Sequence, residues 1–519
     1  MARPTPTGAT FVSLNVAECI SLTAAAIPDK TALVCGDIRM TYRELDQAAR
    51  RTANMLRQRG VGPGDRVAMI FPNVPQFAVV YFGILYTGAA AIPMNVLLKR
   101  REIRYRLEDT GAKVCLALAP MAGEVAKAVA QTPGTELIVA ETGSEPETPE
   151  AGQSFLRLLA EASGSGDMHP TNPDDTAVIL YASAMDGVMK GAELTHFNLF
   201  QNALTIKEYA LGYYPDDTCI TVLPLFHGFG QSTMMNAPFL AGSTVALIPQ
   251  FDPGAVFQVI QEEQATLLAV VPTMLHVMHH YRKAPNYDLS SLRCVIAGGA
   301  ALPADLNKAF SERFNVVVVE GYGLTETSPV VCWNPPTPEL NRPGTLGVPI
   351  WGVRMGIRRA DGAWADTGEV GEIVVRGHNV MKGYLNHPET TAAVLRDGWL
   401  YTGDYGLVDA DGYYHFKGLK KSLINRAGMN VYPKEVENVI REFPGVADVA
   451  VVGHHDPVRG EEVRAFVVAQ PGVALEPHAV IGYVRDQIAA YKAPRKLQVV
   501  ESIPRDAERY VRRDALSFE

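Results

Sequence analysis

The stretch 66–110 reads RVAMIFPNVPQFAVVYFGILYTGAAAIPMNVLLKRREIRYRLEDT. Arg66 to Phe71 is a short apolar run closed by Pro72 and Asn73, which reads as a buried strand. Val74 to Tyr86 has helical spacing and ends at Gly88. Ala89 to Pro93 reads as the next strand, and Lys99 to Thr110 as the next helix, stopped by Gly111. Such alternation predicts parallel sheets covered by helices.

The pattern recurs at Thr218 to Leu223, Thr244 to Ile248, Leu267 to Val271, Arg293 to Ala297 and Val316 to Glu320. Between Gly344 and Tyr414 short strands with Gly-rich turns take over, as in Gly371 to Gly377, predicting a small β-barrel or β-layer. After about Lys420 a compact α/β pattern starts. Its parts are Pro433 to Glu442 and His478 to Ile488 as helices, and Val446 to Gly453 and Val463 to Ala469 as strands. There is no fixed-period repeat. Glu141 to Gly152 and Ala162 to Asp175, rich in Gly, Pro, Ser, Thr and acids, read as flexible.

With 519 residues, 47% hydrophobic and 20% charged, the chain is long enough for two to four domains around a large core. A net charge of −9 gives no reason to expect nucleic acid or an anionic membrane as partner, although a basic cluster runs from Arg505 to Arg513. Six cysteines at 19, 35, 115, 219, 294 and 332 lack CxxC spacing, so neither zinc nor a redox dithiol is indicated and buried free thiols are expected. Met1 to Thr10 lacks the apolar core of a signal peptide, and no apolar run reaches the roughly 20 residues that span a bilayer. A soluble, cytoplasmic protein without a transmembrane segment is the expectation.

Two segments carry chemistry. Gly321-Tyr322-Gly323-Leu324-Thr325-Glu326 follows the apolar strand Asn315 to Val319. A strand ending in Gly-x-Gly lets backbone approach a flat ligand at the carboxyl edge of a sheet, and a hydroxyl and a carboxylate beside it suit phosphate and Mg²⁺. A Gly-rich turn with a solvated Glu is, in isolation, the commoner arrangement. Asp404, in Tyr401-Thr402-Gly403-Asp404, could accept both hydroxyls of a ribose or merely stabilise its turn.

Taken together and in order, these segments resemble the adenylate-forming superfamily of acyl-CoA synthetases, luciferases and peptide-synthetase adenylation domains. The resemblance runs from Thr41-Tyr42-Arg43-Glu44-Leu45 to Tyr491-Lys492-Ala493-Pro494. It is nearest the acyl- and aryl-CoA ligases, through Leu223-Pro224-Leu225-Phe226-His227, Asp397-Gly398-Trp399 and Asn430-Val431-Tyr432-Pro433. It implies an α/β fold in the adenylate-forming manner. A large N-terminal domain of parallel α/β sheets (1–420, with a β-barrel part at about 340–417) would precede a small, mobile α+β C-terminal domain (421–519) on a hinge near Lys421.

The resemblance also implies ATP, Mg²⁺ and coenzyme A. The acid attacks the α-phosphate to give an acyl-adenylate, the small domain rotates, and the CoA thiol displaces AMP. Carried over by position, Gly298, Gly299 and Ala300 line the acyl and adenine pocket, and Gly321, Tyr322 and Gly323 lie under adenine. Thr325 contacts the α-phosphate, Glu326 holds Mg²⁺, Asp404 holds the ribose, and His227 stands at the mouth of the acid pocket. Lys421 and Gly428 complete the cofactor-binding set.

Four departures stand against this. In the phosphate loop, Tyr181 to Gly191, the positions Ser183, Gly187, Lys190 and Gly191 match the family, but Ala182, Ala184, Met185, Asp186 and Met189 replace Thr hydroxyls, a Gly and a Pro. Such loops work by aiming hydroxyls and amides at phosphate oxygens. An inward-facing Asp186 carboxylate at ~4 Å would cost about 4 kcal/mol at an effective dielectric of ~20, roughly three decades in affinity. Leu419 stands where the family has Arg, and Ser422 where it has an acid. Tyr510 stands on the Lys that bridges carboxylate and α-phosphate, a donor whose loss typically costs ~10²–10³ in rate. Arg505, Arg509, Arg512 and Arg513 could cover the phosphate instead, or simply pair with Asp506, Glu508 and Asp514.

The expected function is an acyl-CoA synthetase-type ligase for a fatty or aryl acid, with adenylation weakened or altered. Gly298 to Ala301 with Met234, Met235 and Met274 predict a roomy apolar pocket for that acid. One alternative is a repurposed enzyme acting on a preformed acyl thioester or acyl-adenylate without ATP, with His227 as base. Another is a non-catalytic binding protein. An acyl carrier protein as acceptor and a homodimer stay open.

Overall fold

A computed structural model describes residues 13–143, 150–183, 188–419, 423–456, 459–505 and 511–516, with the backbone alone for Ser183, Leu419 and Asp514. Among these residues the strands form four sheets. The opening stretch folds as its pattern dictates: strand Arg66–Ile70, helix Pro75–Tyr86, strand Ala90–Pro93 and helix Arg100–Thr110, whose C-cap Gly111 is left-handed. These strands sit side by side and parallel in an eight-stranded sheet that continues through the antiparallel hairpin Thr176–Ser183 and Met189–Thr195 to the edge strand Gly383–Tyr384.

A nine-stranded sheet supplies most of the site. Its central strands, Val317–Gly323, Cys294–Ala297, Leu267–Val270, Thr218–Thr221, Thr244–Leu247 and Thr31–Cys35, run parallel in that spatial order. They are buried almost throughout, as strands covered on both faces must be. The Gly-rich region after Gly344 is a five-stranded antiparallel sheet from Val353–Arg358 to Tyr414–Leu419.

Residues 424–516 build a separate sheet around Gly460–Ala469, flanked by helices Pro433–Arg441 and Pro477–Gln487. Their apolar clusters draw on residues of this segment alone, from Ile424 to Leu516. The described chain is therefore two lobes with separate cores. All six cysteines are free, and five are buried. No helix among the described residues is long and apolar enough to cross a membrane.

One expectation fails on physical grounds. Ala162 to Asp175 reads as flexible, but Asn54 donates to the carbonyls of Ser163 and Ser165, Arg50 to that of Gly166, and Arg57 to that of Asp167. Polar side chains of helix Tyr42–Gln58 thus satisfy this segment's backbone, a partnership its composition could not reveal.

Candidate active site

The carboxyl ends of four adjacent strands lie along one edge of the nine-stranded sheet. Cys294–Ala297 leads into Gly298 to Ala301, Val317–Gly323 ends in the Gly-Tyr-Gly stretch, Leu267–Val270 leads to Val271, and Thr218–Thr221 leads to His227. This edge of a parallel sheet is where α/β folds bind ligands. Gly321 and Gly323 are dictated by their neighbours across the antiparallel pairing with Val330–Trp333. A Cβ on Gly323 would lie 1.9 Å from the Pro329 carbonyl oxygen, and one on Gly321 would lie 2.8 Å from the Trp333 ring.

Tyr322 and Asp404 come from different sheets and meet here. The Tyr322 hydroxyl donates to Asp404 Oδ2 at 2.7 Å. Burial, reinforced by the Asp404 carboxylate, lifts the Tyr322 pKa well above the usual phenol value, so it remains a donor. Asp404 is itself set by the Thr402 hydroxyl, which accepts from its backbone N–H and donates to the Ile373 carbonyl. Position 419 lies directly opposite Asp404 in the ladder.

Glu326 is buried, with its backbone carbonyl accepting from Met381 N–H at 2.9 Å. Its Oε1 accepts from the Tyr384 hydroxyl at 2.7 Å. One carboxylate oxygen is thereby fixed. Among the described residues no cluster of three His, Cys, Asp or Glu could hold a metal. The residues present fit Mg²⁺ bound by a single carboxylate plus substrate phosphates, the usual pattern for that ion. Thr325, half-buried, precedes Glu326 in the same 3-10 turn, Thr325–Thr327.

His227 caps the helix Gly228–Gln231, its Nδ1 accepting from Phe229 N–H at 3.3 Å. The ring is open to solvent yet deep among protein atoms, as befits a cleft wall, and burial pushes its pKa below the usual imidazole value. Gly298 faces Phe229: a Cβ there would lie 3.0 Å from the ring. Met234 and Met235 do not line this space. Both are fully buried in two different core clusters, and Met274 is only partly buried. Gly299 and Ala300 are exposed.

The phosphate hairpin is braced from outside. Tyr181 donates to Asp109 at 2.6 Å under the Arg106 guanidinium, and Tyr105 donates to the Met189 carbonyl at 2.8 Å. Lys190 is only 3% exposed, and Gly191 packs on Ile179. The Ser183 side chain, Ala184 to Gly187, Lys421, Ser422, Arg509 and Tyr510 lie outside the described residues. Around Tyr510, Arg505 pairs with Asp448 and Arg513 with Glu437, both within the small lobe. Two of the four arginines that could have covered the phosphates are thus engaged in local ion pairs.

Gly428, in the small lobe, packs on the large one. Its φ is +82°, and a Cβ would lie 2.8 Å from Val271 Cγ1. Asn425 beside it donates to the Gly299 carbonyl at 2.8 Å. Sequence reasoning missed Tyr384, Phe229, Trp333 and Asn425. Tyr384, Phe229 and Asn425 act through partners far along the chain, and Trp333 through Gly321 on the neighbouring antiparallel strand; an isolated aromatic or amide carries no local sign of either.

The chain is similar in sequence and fold to known proteins. The chain is 36% identical over 480 residues to a feruloyl-CoA synthase of Amycolatopsis sp, covering 92% of this chain and 93% of that one. It superposes with a TM-score of 0.85 and 28% identity on a double mutant of o-succinylbenzoate CoA synthetase (MenE) from Bacillus subtilis bound with its product analogue OSB-NCoA, covering 96% of this chain and 97% of that one. On ATP-bound MatB from Rhodopseudomonas palustris the TM-score is 0.73 at 30% identity, covering 97% and 98%. The family described as AMP-binding enzyme matches residues 21–385, and its AMP-binding enzyme C-terminal domain matches residues 435–509. With both halves matched in order, this chain belongs to the AMP-binding enzyme family, within the adenylate-forming superfamily.

Proposed function

We propose that the chain joins an aryl carboxylic acid to CoA through an acyl-adenylate, with adenylation the slower half. ATP, Mg²⁺ and CoA are the cofactors of AMP-forming CoA ligases, the class to which its relatives belong. The observation that carries the reading is the meeting of Tyr322 and Asp404, from different sheets, with Glu326 four residues beyond Tyr322, at the strand-end edge that also carries Gly298 to Ala300. An adenine and ribose floor of this kind has a use only if a nucleotide occupies it. Phe229 packs against Gly298 beside the proposed acid seat, and the 36% identity to a feruloyl-CoA synthase supports an aryl acid. Thr325 and Lys190 are the proposed phosphate contacts, and His227 the proposed wall of the acid seat.

The lobes support assignment of the observed arrangement to the thioester-forming half. Asn425 and Gly428 lie on Gly299 and Val271, at the mouth of the acid seat. The whole chain also superposes more closely on the structure bound with a CoA-product analogue than on the ATP-bound one.

A second reading, transfer from a preformed acyl-adenylate or thioester without ATP, is favoured by the engagement of Arg505 and Arg513 elsewhere together with Tyr510 in place of Lys. One assay separates the two. Hydroxycinnamic, benzoic and straight-chain acids are incubated with ATP, Mg²⁺ and CoA and read by mass spectrometry. The proposal expects an aryl-CoA with one AMP and one pyrophosphate per thioester. A straight-chain product corrects the acid class. Absence of any acid-dependent AMP, with turnover of a supplied aryl-adenylate, establishes the second reading instead.

A further inference from the structure

On the helix that braces the hairpin Thr176–Ser183 and Met189–Thr195, a buried cluster of charges crosses between the lobes. Lys492 Nζ, from the Tyr491-Lys492-Ala493-Pro494 stretch of the small lobe, lies 2.6 Å from Glu102 Oε1 of the large lobe and 2.6 Å from Glu435 Oε1 of its own. The side chains are 3%, 4% and 16% exposed, respectively. Glu102 Oε2 accepts from Lys99 N–H, at the start of its own helix, and from Ala489 N–H of the small lobe, at 3.0 and 2.9 Å. Next to it Arg101 makes a two-pronged ion pair with Glu442, at 2.5 and 2.7 Å.

The partners divide unequally. Of the three hydrogen bonds that satisfy the Glu102 carboxylate, two come from the small lobe and exist only while that lobe sits as observed. Lys492 keeps Glu435 in any orientation, and loses Glu102 if the lobe turns. Glu435 Oε2 has no hydrogen-bond partner among the described residues. Among the described residues the polar contacts between the lobes fall at two places: the Asn425 to Gly428 loop against Gly299 and Val271, and this cluster on helix Arg100–Thr110. A buried ion pair is sensitive to loss of one partner, because the other is left charged and desolvated.

We propose that Glu102 and Lys492 are positioning residues of the thioester-forming step, a latch that holds the small lobe with its Asn425–Gly428 loop over the acyl group and leaves acyl-adenylate formation untouched. The inference rests on the ligase reading and its assignment of the lobe arrangement. Neither residue touches substrate. Their effect is on the fraction of molecules in which the CoA-side loop is in place.

The test uses the full chain. Lys492→Met leaves two buried carboxylates facing each other, so Glu102→Gln is the primary variant and the double variant Glu102→Gln/Lys492→Met the control for coupling. Single-turnover rates are measured for two reactions: ferulate with ATP and Mg²⁺ to feruloyl-adenylate, and supplied feruloyl-adenylate with CoA to thioester. Glu102→Gln should slow the second at least tenfold and leave the first within twofold, and the double variant should be no slower than Glu102→Gln alone. Energy transfer between dyes on Lys308→Cys and Ala474→Cys, one in each lobe, should show the docked fraction falling in Glu102→Gln. Equal slowing of both steps, or an unchanged docked fraction with unchanged thioester rate, overturns the latch. If wild type makes thioester from neither source, the ligase reading fails, while the dye distance still reads the latch.

Discussion

Gly323 carries the tightest constraint at the site. A methyl group there would sit 1.9 Å from the Pro329 oxygen and 2.7 Å from its carbonyl carbon, both backbone atoms that no rotamer change can move. Gly323→Ala must therefore displace the turn that presents Thr325 and Glu326. We expect a loss of about 3 kcal/mol or more in urea unfolding, at the upper end for overpacking, and weakened AMP binding in calorimetry. An unchanged unfolding midpoint would mean the turn is looser than it looks. This glycine was legible in the sequence as part of Gly-x-Gly after an apolar strand. The side chain that fixes Glu326 was not: Tyr384 lies 58 residues further on, and nothing local sets it apart from a core tyrosine. The two methionines misled for a related reason. Met234 and Met235 have the chemistry of a pocket wall, but burial direction inside an all-apolar segment has no period to read.

At the scale of elements, helices Tyr42–Gln58 and Pro75–Tyr86 cross where Gly83 meets Thr52. Two effects compete in Gly83→Ala. Alanine gains about 1 kcal/mol of helix propensity over glycine. Its Cβ, however, would lie 2.5 Å from Thr52 Cβ and 3.0 Å from the Ala49 carbonyl oxygen. Overpacking of this kind costs about 1–3 kcal/mol. The clash should win, lowering the unfolding midpoint by a net ~1 kcal/mol, and a raised midpoint would show that the helices can separate without cost. The alternation over 66–110 made these elements readable, because each apolar run is bounded by Pro, Gly or a capping residue. The crossing itself was not readable, since Gly83 within a helical run looks like a defect until its neighbour is known.

For the whole molecule, acid sensitivity follows from one buried histidine. His196 is fully buried, its Nδ1 accepts from Val16 N–H at 3.1 Å, and its Nε2 has no partner among the described residues. Burial lowers its pKa from 6.5 to about 4. The unfolded chain therefore binds a proton between pH 6.5 and 4 that the folded chain does not, and stability falls as pH drops through that window while being unaffected above it. At pH 5 this amounts to about 2 kcal/mol. His196→Gln keeps an acceptor for Val16, so its stability deficit against wild type should shrink by that amount between pH 7 and pH 5. A constant deficit would show that His196 protonates freely in the fold.

The two-lobe division was legible from the order of segments, whereas the reading of a weakened phosphate grip rests on residue identity at Ala184 to Asp186 and Tyr510, which lie outside the described residues. How the lobes sit was not legible, because it depends on contacts such as Glu102 with Lys492, 390 residues apart. The claim on which the rest depends is that a nucleotide floor has been kept while the cation aimed at the α-phosphate has been lost. The most direct test compares wild type with Tyr510→Lys in a single turnover of ferulate, ATP and Mg²⁺, with supplied feruloyl-adenylate and CoA followed in parallel. The account predicts that the substitution speeds adenylate formation by at least about tenfold, within the ~10²–10³ such a donor supplies, and leaves thioester formation unchanged. Adenylate formation in wild type that already outpaces the thioester step, with no gain from lysine in a folded protein, would contradict it.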